Sequence, residues 1–399
     1  MDDRWRALAV LTAARTSLGF QFQSIASLSA DLMQSLGLSY ATLGLLIGLY
    51  FLPGVVVSLP AGAASRRLGD KRLVLLGLAL MTLGAIVCVL AGDSTTLAVG
   101  RVVSGIGGVT LNVVMSKMVI DWFTGREVVL AMAIFVNSFP IGVGLAMLTL
   151  GAVSAFAGWQ AAMGVAALTT LIALMAVWAL CEPHPNDAQV SGAKTLAAAA
   201  LNRSELFLVC VAGAIWGLFN GCFAVLFGFA PSLLASSGGQ SSATVGFVVG
   251  VATWCVAASV QVGGFLGQRW AKPTTLMTTG AIAWSLCLLA LAFWDSAGAA
   301  SVILAGIVMG LPVGAIMAMP AEVLRPESRA VGMGYFYLWL YVGHGTLPPV
   351  AGWVRDATGQ ANAPIVFAAA MVLAMLALYG VFRYGMRRVR TAPPIVGMG

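Results

Sequence analysis

The sequence predicts an all-α integral membrane protein, with twelve transmembrane helices in two six-helix halves related by a pseudo-twofold axis. Three observations predict it. The chain is 60% hydrophobic and 9% charged, whereas a soluble domain is about 25% charged. Twelve long apolar stretches follow one another, separated by short polar or basic connectors. The stretches before and after the middle of the chain also repeat one another at a spacing of 201 residues, the mark of a duplicated membrane bundle.

The segments are justified in order. The first, 6–30, is longer than a signal-peptide core and lacks a cleavage site, so it reads as a retained helix. Segments 41–63 and 73–91 are each long enough to cross a bilayer, and a basic loop joins them. Segments 96–119 and 128–155 carry the amides Asn112 and Asn137, and Gly158-Trp159 separates the latter from 160–181. The longest connector, Glu182 to Glu205, holds Pro183, Pro185, Gly192 and Lys194. No charged residue occurs from Leu206 to Gln268, and the polar turn Ser236 to Gln240 divides that run into segments 206–232 and 243–266. Segments 273–293, 297–320, 330–353 and 363–383 complete the set. The expected domains are a first half at 1–181, a linker at 182–205, a second half at 206–384 and a basic tail at 385–399.

Basic residues cluster in alternate connectors: Arg66, Arg67, Lys71 and Arg72, then Arg126, Lys194 and Arg203, Arg269 and Lys272, Arg325 and Arg329, and Arg383 to Arg390. This positive-inside pattern predicts cytoplasmic termini in a cytoplasmic (inner) membrane. The net charge of +7 is thus distributed for a bilayer and not for nucleic acid. The six cysteines lie in or beside apolar runs without paired spacing and read as small hydrophobes. No cofactor or metal is expected, and the chain reads as a monomer.

An ungapped shift of 201 places Gly62 on Gly263, Lys71 on Lys272, Gly105 on Gly306, Gly142 on Gly343, Gly151 on Gly352 and Asp121 on Glu322. Local motifs then join the argument. Gly62-Ala63-Ala64-Ser65-Arg66-Arg67-Leu68-Gly69-Asp70-Lys71-Arg72 resembles the signature loop of the major facilitator superfamily, although Arg66 stands where that family has Asp. Arg101-Val102-Val103-Ser104-Gly105-Ile106-Gly107 is similar to its Arg-xxx-Gly-x-Gly segment, and Phe139-Pro140-Ile141-Gly142 partly matches its Gly-Pro segment. Arg126-Glu127, Gly158-Trp159, Arg325 to Arg329 and Asp356 to Gly359 are further echoes. The resemblance implies alternating access, with Gly62, Arg66, Arg67, Gly69, Lys71, Arg72, Arg101, Gly105, Asp121, Arg126, Glu322 and Arg329 in gating or motif positions. It also implies that losing the Asp at position 66 alters the usual gate.

Within the spans, Arg15, Arg101 and Lys117 carry fixed positive charge, whereas all 14 acidic residues fall near segment ends. An arginine in the bilayer requires a wet cavity or a partner. Arg15 lies nine residues into its segment, about 13 Å deep, and Gly19, Phe22 and Gln23 follow on its face. The shift sets Trp216 opposite Arg15, and Asn220 and Phe223 continue that face. Tyr337, Tyr341 and His344 align on another helix at i, i+4, i+7. The expected substrate residues are therefore Arg15, Gln23, Asn112, Asn137, Trp216, Asn220, Tyr337, Tyr341 and His344. For Trp216 and His344 plain packing is an equal alternative, for Arg101 a structural role is, and for Arg15 the alternative is snorkelling toward the cytoplasmic interface or donation to backbone carbonyls. Lys117, near the end of its helix, reads as snorkelling.

The reading is a transporter of a small anion (a mono- or dicarboxylate, cyanate or similar) by rocker-switch movement of the halves. Its general look is similar to the cyanate and organic-anion branches of the superfamily. Besides the anion and the bilayer, protons or a counter-anion are the coupling partners to test; no conventional carboxylate relay lies within the spans. The alternatives are a proton-linked multidrug or metabolite exporter, which would call for an acidic cavity residue, and a transporter-like sensor that binds without moving its ligand. A membrane enzyme is disfavoured, because the chain has no metal-ligand constellation, Ser/His/Asp set or GxxxxGK loop.

Overall fold

Glycine, proline and a few capping side chains decide where the helices of this chain begin and end. The computed structural model describes residues 3–123, 127–182, 201–238, 242–270, 273–294, 298–325 and 328–391. Helix α1 (Asp3–Ser27) runs on past Leu28 as α2 (Ser29–Leu36), which Gly37 terminates at φ 60°. The Ser39 side chain accepts the Thr42 N–H at 3.1 Å and so caps α3 (Tyr40–Gly48). After Pro53 the chain resumes as α4 (Gly54–Leu68); Gly69, at φ 83°, turns it into α5 (Asp70–Val89). Asp93 caps α6 (Ser94–Trp122) through the N–H groups of Thr95 and Thr96.

Helix α7 (Val128–Leu180) is 53 residues long and holds two spans, bent where Gly158 adopts φ 83°, ψ 164°. The second half follows as α8 (Arg203–Gly238), α9 (Ser242–Trp270), α10 (Pro273–Phe293), α11 (Gly298–Met309), α12 (Val313–Val323), α13 (Arg329–Thr358) and α14 (Ala363–Thr391). The pairs α1/α2, α3/α4 and α11/α12 each form one span, so these helices make the expected twelve. Where the sequence suggested continuous first, second and tenth segments, each is broken. Pro53 and Pro312 lack the backbone N–H that would carry the helix ladder through two of these breaks. Most of the expected linker, 183–200, and the tail beyond Thr391 lie outside the described residues.

The repeat is visible in contacts as well as in residue types. Ser154 bonds Asp31 in the first half, and at +201 Arg355 Nη1 donates to Ser232 Oγ at 2.6 Å. Arg4 pairs with Glu127 at 3.3 Å, and at +201 Ser328 donates to Glu205 at 3.0 Å. Gly142 abuts the Thr16 carbonyl and Gly343 that of Gly217, again at +201. The ungapped register fails in one place. The buried positions of α5, Leu73, Val74, Gly77 and Leu78, correspond to Leu276, Met277, Gly280 and Ala281 of α10, a shift of 203. Two extra residues before α10, offset by two fewer between α10 and Gly306, account for the difference, because each helix must still turn its apolar side inward.

Successive spans alternate in direction, so the connectors sort onto two faces. The basic face carries Arg67, Lys71, Arg72, Arg269, Arg325 and Arg383. On the far face the halves are in close contact: Gly44, Gly48 and Gly352 meet backbone across the α3/α13 seam, and Gly246 meets the Met147 carbonyl between α7 and α9. Absent side chains let these helices approach to backbone distance.

Candidate functional site

A cavity of about 170 Å³ lies between the halves, bordered by α1, α6, α7, α8, α9, α12 and α13 and by Phe51 from the break between α3 and α4. Arg15, Asn112, Asn137, Trp216, Asn220 and His344 all line it. Six of the nine side chains expected from the sequence therefore meet in one chamber, with Arg15 and Trp216 contributed by equivalent helices of the two halves. Aromatic rings, Phe51, Phe139, Phe219 and Phe223, form much of the remaining wall. No carboxylate borders it among the described residues.

Arg15 is held from two sides. Its Nε donates to Asn112 Oδ1 at 2.9 Å, and Nη1 donates to the carbonyls of Phe135 (3.0 Å) and Val136 (2.6 Å). Its guanidinium carbon lies 4.9 Å from the Phe135 ring centroid and 5.8 Å from that of Phe139. The Val136 carbonyl is available because Pro140, lacking an N–H, leaves it without its helical donor. Nη2 has no protein acceptor among the described residues. A planar, permanently charged fork thus presents its remaining donors beside an otherwise neutral chamber.

Three expected residues sit differently. Gln23 does not border the chamber: its amide donates to the Phe227 carbonyl at 2.8 Å, tying α1 to α8. Tyr341 is buried against Gly54, with its hydroxyl facing the Asn112 amide, immediately behind the chamber wall. Tyr337, one turn nearer the basic face, is half-exposed. The Trp216 ring lies nearly parallel to Phe219 and Phe336, with centroids at 5.3 and 6.2 Å, so aromatic packing already engages it. Asn220 donates to the Trp216 carbonyl at 2.8 Å. His344 is buried between Phe22 and Phe51, its ring centroid 4.7 Å from that of Phe51. One nitrogen approaches the Leu340 carbonyl, yet neither makes a well-formed hydrogen bond to protein.

Arg101 is not a chamber residue. It is fully buried and donates to the carbonyls of Leu46, Gln21 and Phe22 at 2.9–3.0 Å, with Tyr50 against its guanidinium at 4.4 Å. Tyr50 in turn donates to Gln21 at 2.9 Å. Arg101 therefore binds α6 to α1 and α3. Gly105, one turn on, lets the Tyr50 carbonyl approach.

Lys117 reaches toward the basic end of its helix, as expected, and is paired there. It meets Asp70 at 2.5 Å and Asp121 at 3.2 Å, so two carboxylates match this cation. Asp70, which sequence reasoning passed over, is buried at the start of α5 and also accepts from Ser65. A carboxylate thus occupies the signature loop after all, four residues beyond Arg66 and directed within its own half. Gly62 and Arg66 lie in α4 and Arg329 opens α13, but their surroundings are outside the described set, and so is Arg126. Glu322 pairs with Arg383 at 3.0 Å, and Glu205 grips the Arg325 guanidinium at 2.9 and 3.1 Å.

A helical bundle of two repeated halves around a chamber is a transporter architecture, and the sequence comparison decides the family. A model described as Major Facilitator Superfamily matches residues 11–237 and again 217–396. The chain belongs to the major facilitator superfamily. Among similar superfamily proteins, the lysosomal dipeptide transporter MFSD1 of Danio rerio is 26% identical over 90% of this chain and 82% of its own length. The inner membrane transport protein YajR of Escherichia coli is 32% identical over 28% of the chain and 24% of its own. A bacterial homologue of the human lysosomal transporter Spinster, inward-facing and unoccupied, shares the fold with a TM-score of 0.82 at 16% identity over 99% of this chain and 100% of that one. The nucleoside transporter NupG does so at 0.74 and 15% identity, covering 96% and 99%. This member of the superfamily is accordingly a multi-pass membrane transporter of a small solute.

Proposed function

We propose that this transporter carries a small organic anion, a carboxylate with an apolar or aromatic body, by rocker-switch alternating access around Arg15. One observation carries the reading: Arg15 Nη2 has no protein acceptor beside a chamber that no carboxylate borders among the described residues. A bound carboxylate supplies the missing acceptor and charge, with a geometry that guanidinium matches. The amides of Asn137 and Asn220 orient the rest of the solute, and the aromatic wall receives its apolar part. In this reading the basic face is cytoplasmic, the membrane is the inner membrane, and the coupling partner is a proton or a counter-anion.

A dipeptide is the second reading, favoured by the similarity to MFSD1. Its carboxylate would occupy Arg15 in the same way. Its ammonium would face only amide oxygens and aromatic rings, since no acid borders the chamber among the described residues. Uptake by proteoliposomes of labelled aromatic and aliphatic monocarboxylates, with dipeptides in parallel, tests both. The proposal expects saturable carboxylate uptake, with dipeptides as weak competitors. Uptake of dipeptides alone would favour the second reading, and uptake confined to cations would defeat both.

A further inference from the structure

We propose that the first half binds an anionic phospholipid on its outer surface, with one acyl chain in the groove between α5 and the end of α7 and the phosphate at Lys71 and Arg72. The inference is independent of the transported solute.

The groove has a volume of about 480 Å³ and is lined by Leu75, Leu76, Ala79, Leu174, Met175 and Trp178. It contains no polar side chain except the Trp178 indole. At its mouth on the basic face, Lys71 Nζ donates to the Trp178 carbonyl at 3.0 Å. That carbonyl belongs to the last turn of α7, where no helical donor reaches it, so the lysine closes the helix end and stands fixed over the groove. Positions 71, 72, 75, 76 and 79 of α5 share one face by helical spacing, so cation and apolar stripe are continuous. Trp178 is 70% exposed at this level, where an amphipathic ring sits at the headgroup boundary.

Charge selects among the lipids. Arg67, Lys71 and Arg72 have no carboxylate partner among the described residues. Asp70, beside them in sequence, is turned inward and occupied by Lys117 and Ser65. The outward side of this loop therefore offers only positive charge to the lipid surface, and basic sites between helices retain anionic headgroups. A zwitterionic lipid fills the groove equally well but brings a compensating cation to the same lysine.

The test is thermal unfolding of the purified full-length protein in detergent with added phosphatidylglycerol, phosphatidylcholine or glycerol phosphate. The proposal expects phosphatidylglycerol to raise Tm by several degrees in the wild type, with little effect from the other two. The combined variant Lys71→Gln and Arg72→Gln should lose most of that rise. Leu76→Trp, which fills the groove from a position already 49% exposed, should lose it with both cations intact. An equal rise with phosphatidylcholine or glycerol phosphate would overturn the proposal. A rise undiminished in both variants would do the same.

Discussion

Arg355 holds Tyr40 across the two halves, with its guanidinium carbon 3.5 Å from the ring centroid and Nη2 donating to the phenolic oxygen at 2.8 Å. The next residue, Asp356, accepts the N–H groups of Tyr40 (3.0 Å) and Ala41 (2.7 Å), unpaired donors at the start of α3. The first turn of α3 is thus latched to the last turn of α13, and these contacts must break before the far face opens. A desolvated cation–π contact contributes about 2 kcal/mol. We therefore predict that Arg355→Gln raises the far-face-open population by roughly 5- to 30-fold. With native cysteines replaced, Ser27→Cys, beside a small far-face pocket, should react correspondingly faster with an impermeant maleimide. Unchanged labelling would mean that the latch does not hold the gate.

Removing Arg101 should damage folding and leave substrate selectivity alone. Its loss removes three buried hydrogen bonds from a charged donor, at about 1.5–3 kcal/mol each. We expect Arg101→Ala to yield little monodisperse protein by size-exclusion chromatography, and Arg101→Lys to recover only part of it, because one ammonium cannot reproduce the planar fork. Well-folded Arg101→Ala with altered KM would instead make Arg101 a substrate residue.

The Asp70–Lys117 pair should behave as a coupled unit. Asp70→Asn leaves Lys117 with Asp121, and Lys117→Gln leaves Asp70 buried with Ser65. A double-mutant cycle on thermal stability should give an interaction of about 1–3 kcal/mol, with Lys117→Gln the costlier single change because it strands a buried charge. Additive effects would contradict a direct pair.

Asp93 predicts a pH dependence on the far face. The Thr96 N–H, the Thr96 hydroxyl and the Thr95 N–H bond its carboxylate and hold it below the ordinary carboxylate range. A folded-state pKa below the unfolded one means that the contribution is complete above the ordinary carboxylate value and lost as pH falls through the folded one. Asp93→Asn should therefore lower Tm at neutral pH, and the gap from wild type should close on acidification. A gap that widens in acid would reverse the sign of this account.

The twelve spans and the chamber were legible because both depend on periodicities that sequence carries directly. Helical spacing put Arg15 on a face with Phe22, and the repeat placed Trp216 at matching depth; the two side chains line one cavity. Gln23 escaped because eight residues from Arg15 is about 80° around the helix at 3.6 residues per turn, enough to aim it at α8. Tyr337 shares a face with His344, but two turns of rise carry it toward the basic face. Asp70 was illegible for another reason: an acid in the first turn reads as a surface cap, and only the approach of α6 buries it against Lys117. Arg101 reads the same from sequence whether it faces water or three carbonyls, since the acceptors belong to α1 and α3.

The central claim is that Arg15 binds the anion, and equilibrium binding to Arg15→Gln tests it most directly. Titration of the purified protein with the carboxylate that best supports proteoliposome uptake should give saturable binding to the wild type. Arg15→Gln should bind at least tenfold more weakly, with an unfolding transition still cooperative, and Arg15→Lys should fall between, since a point charge replaces the fork. Wild-type affinity in Arg15→Gln would contradict the account.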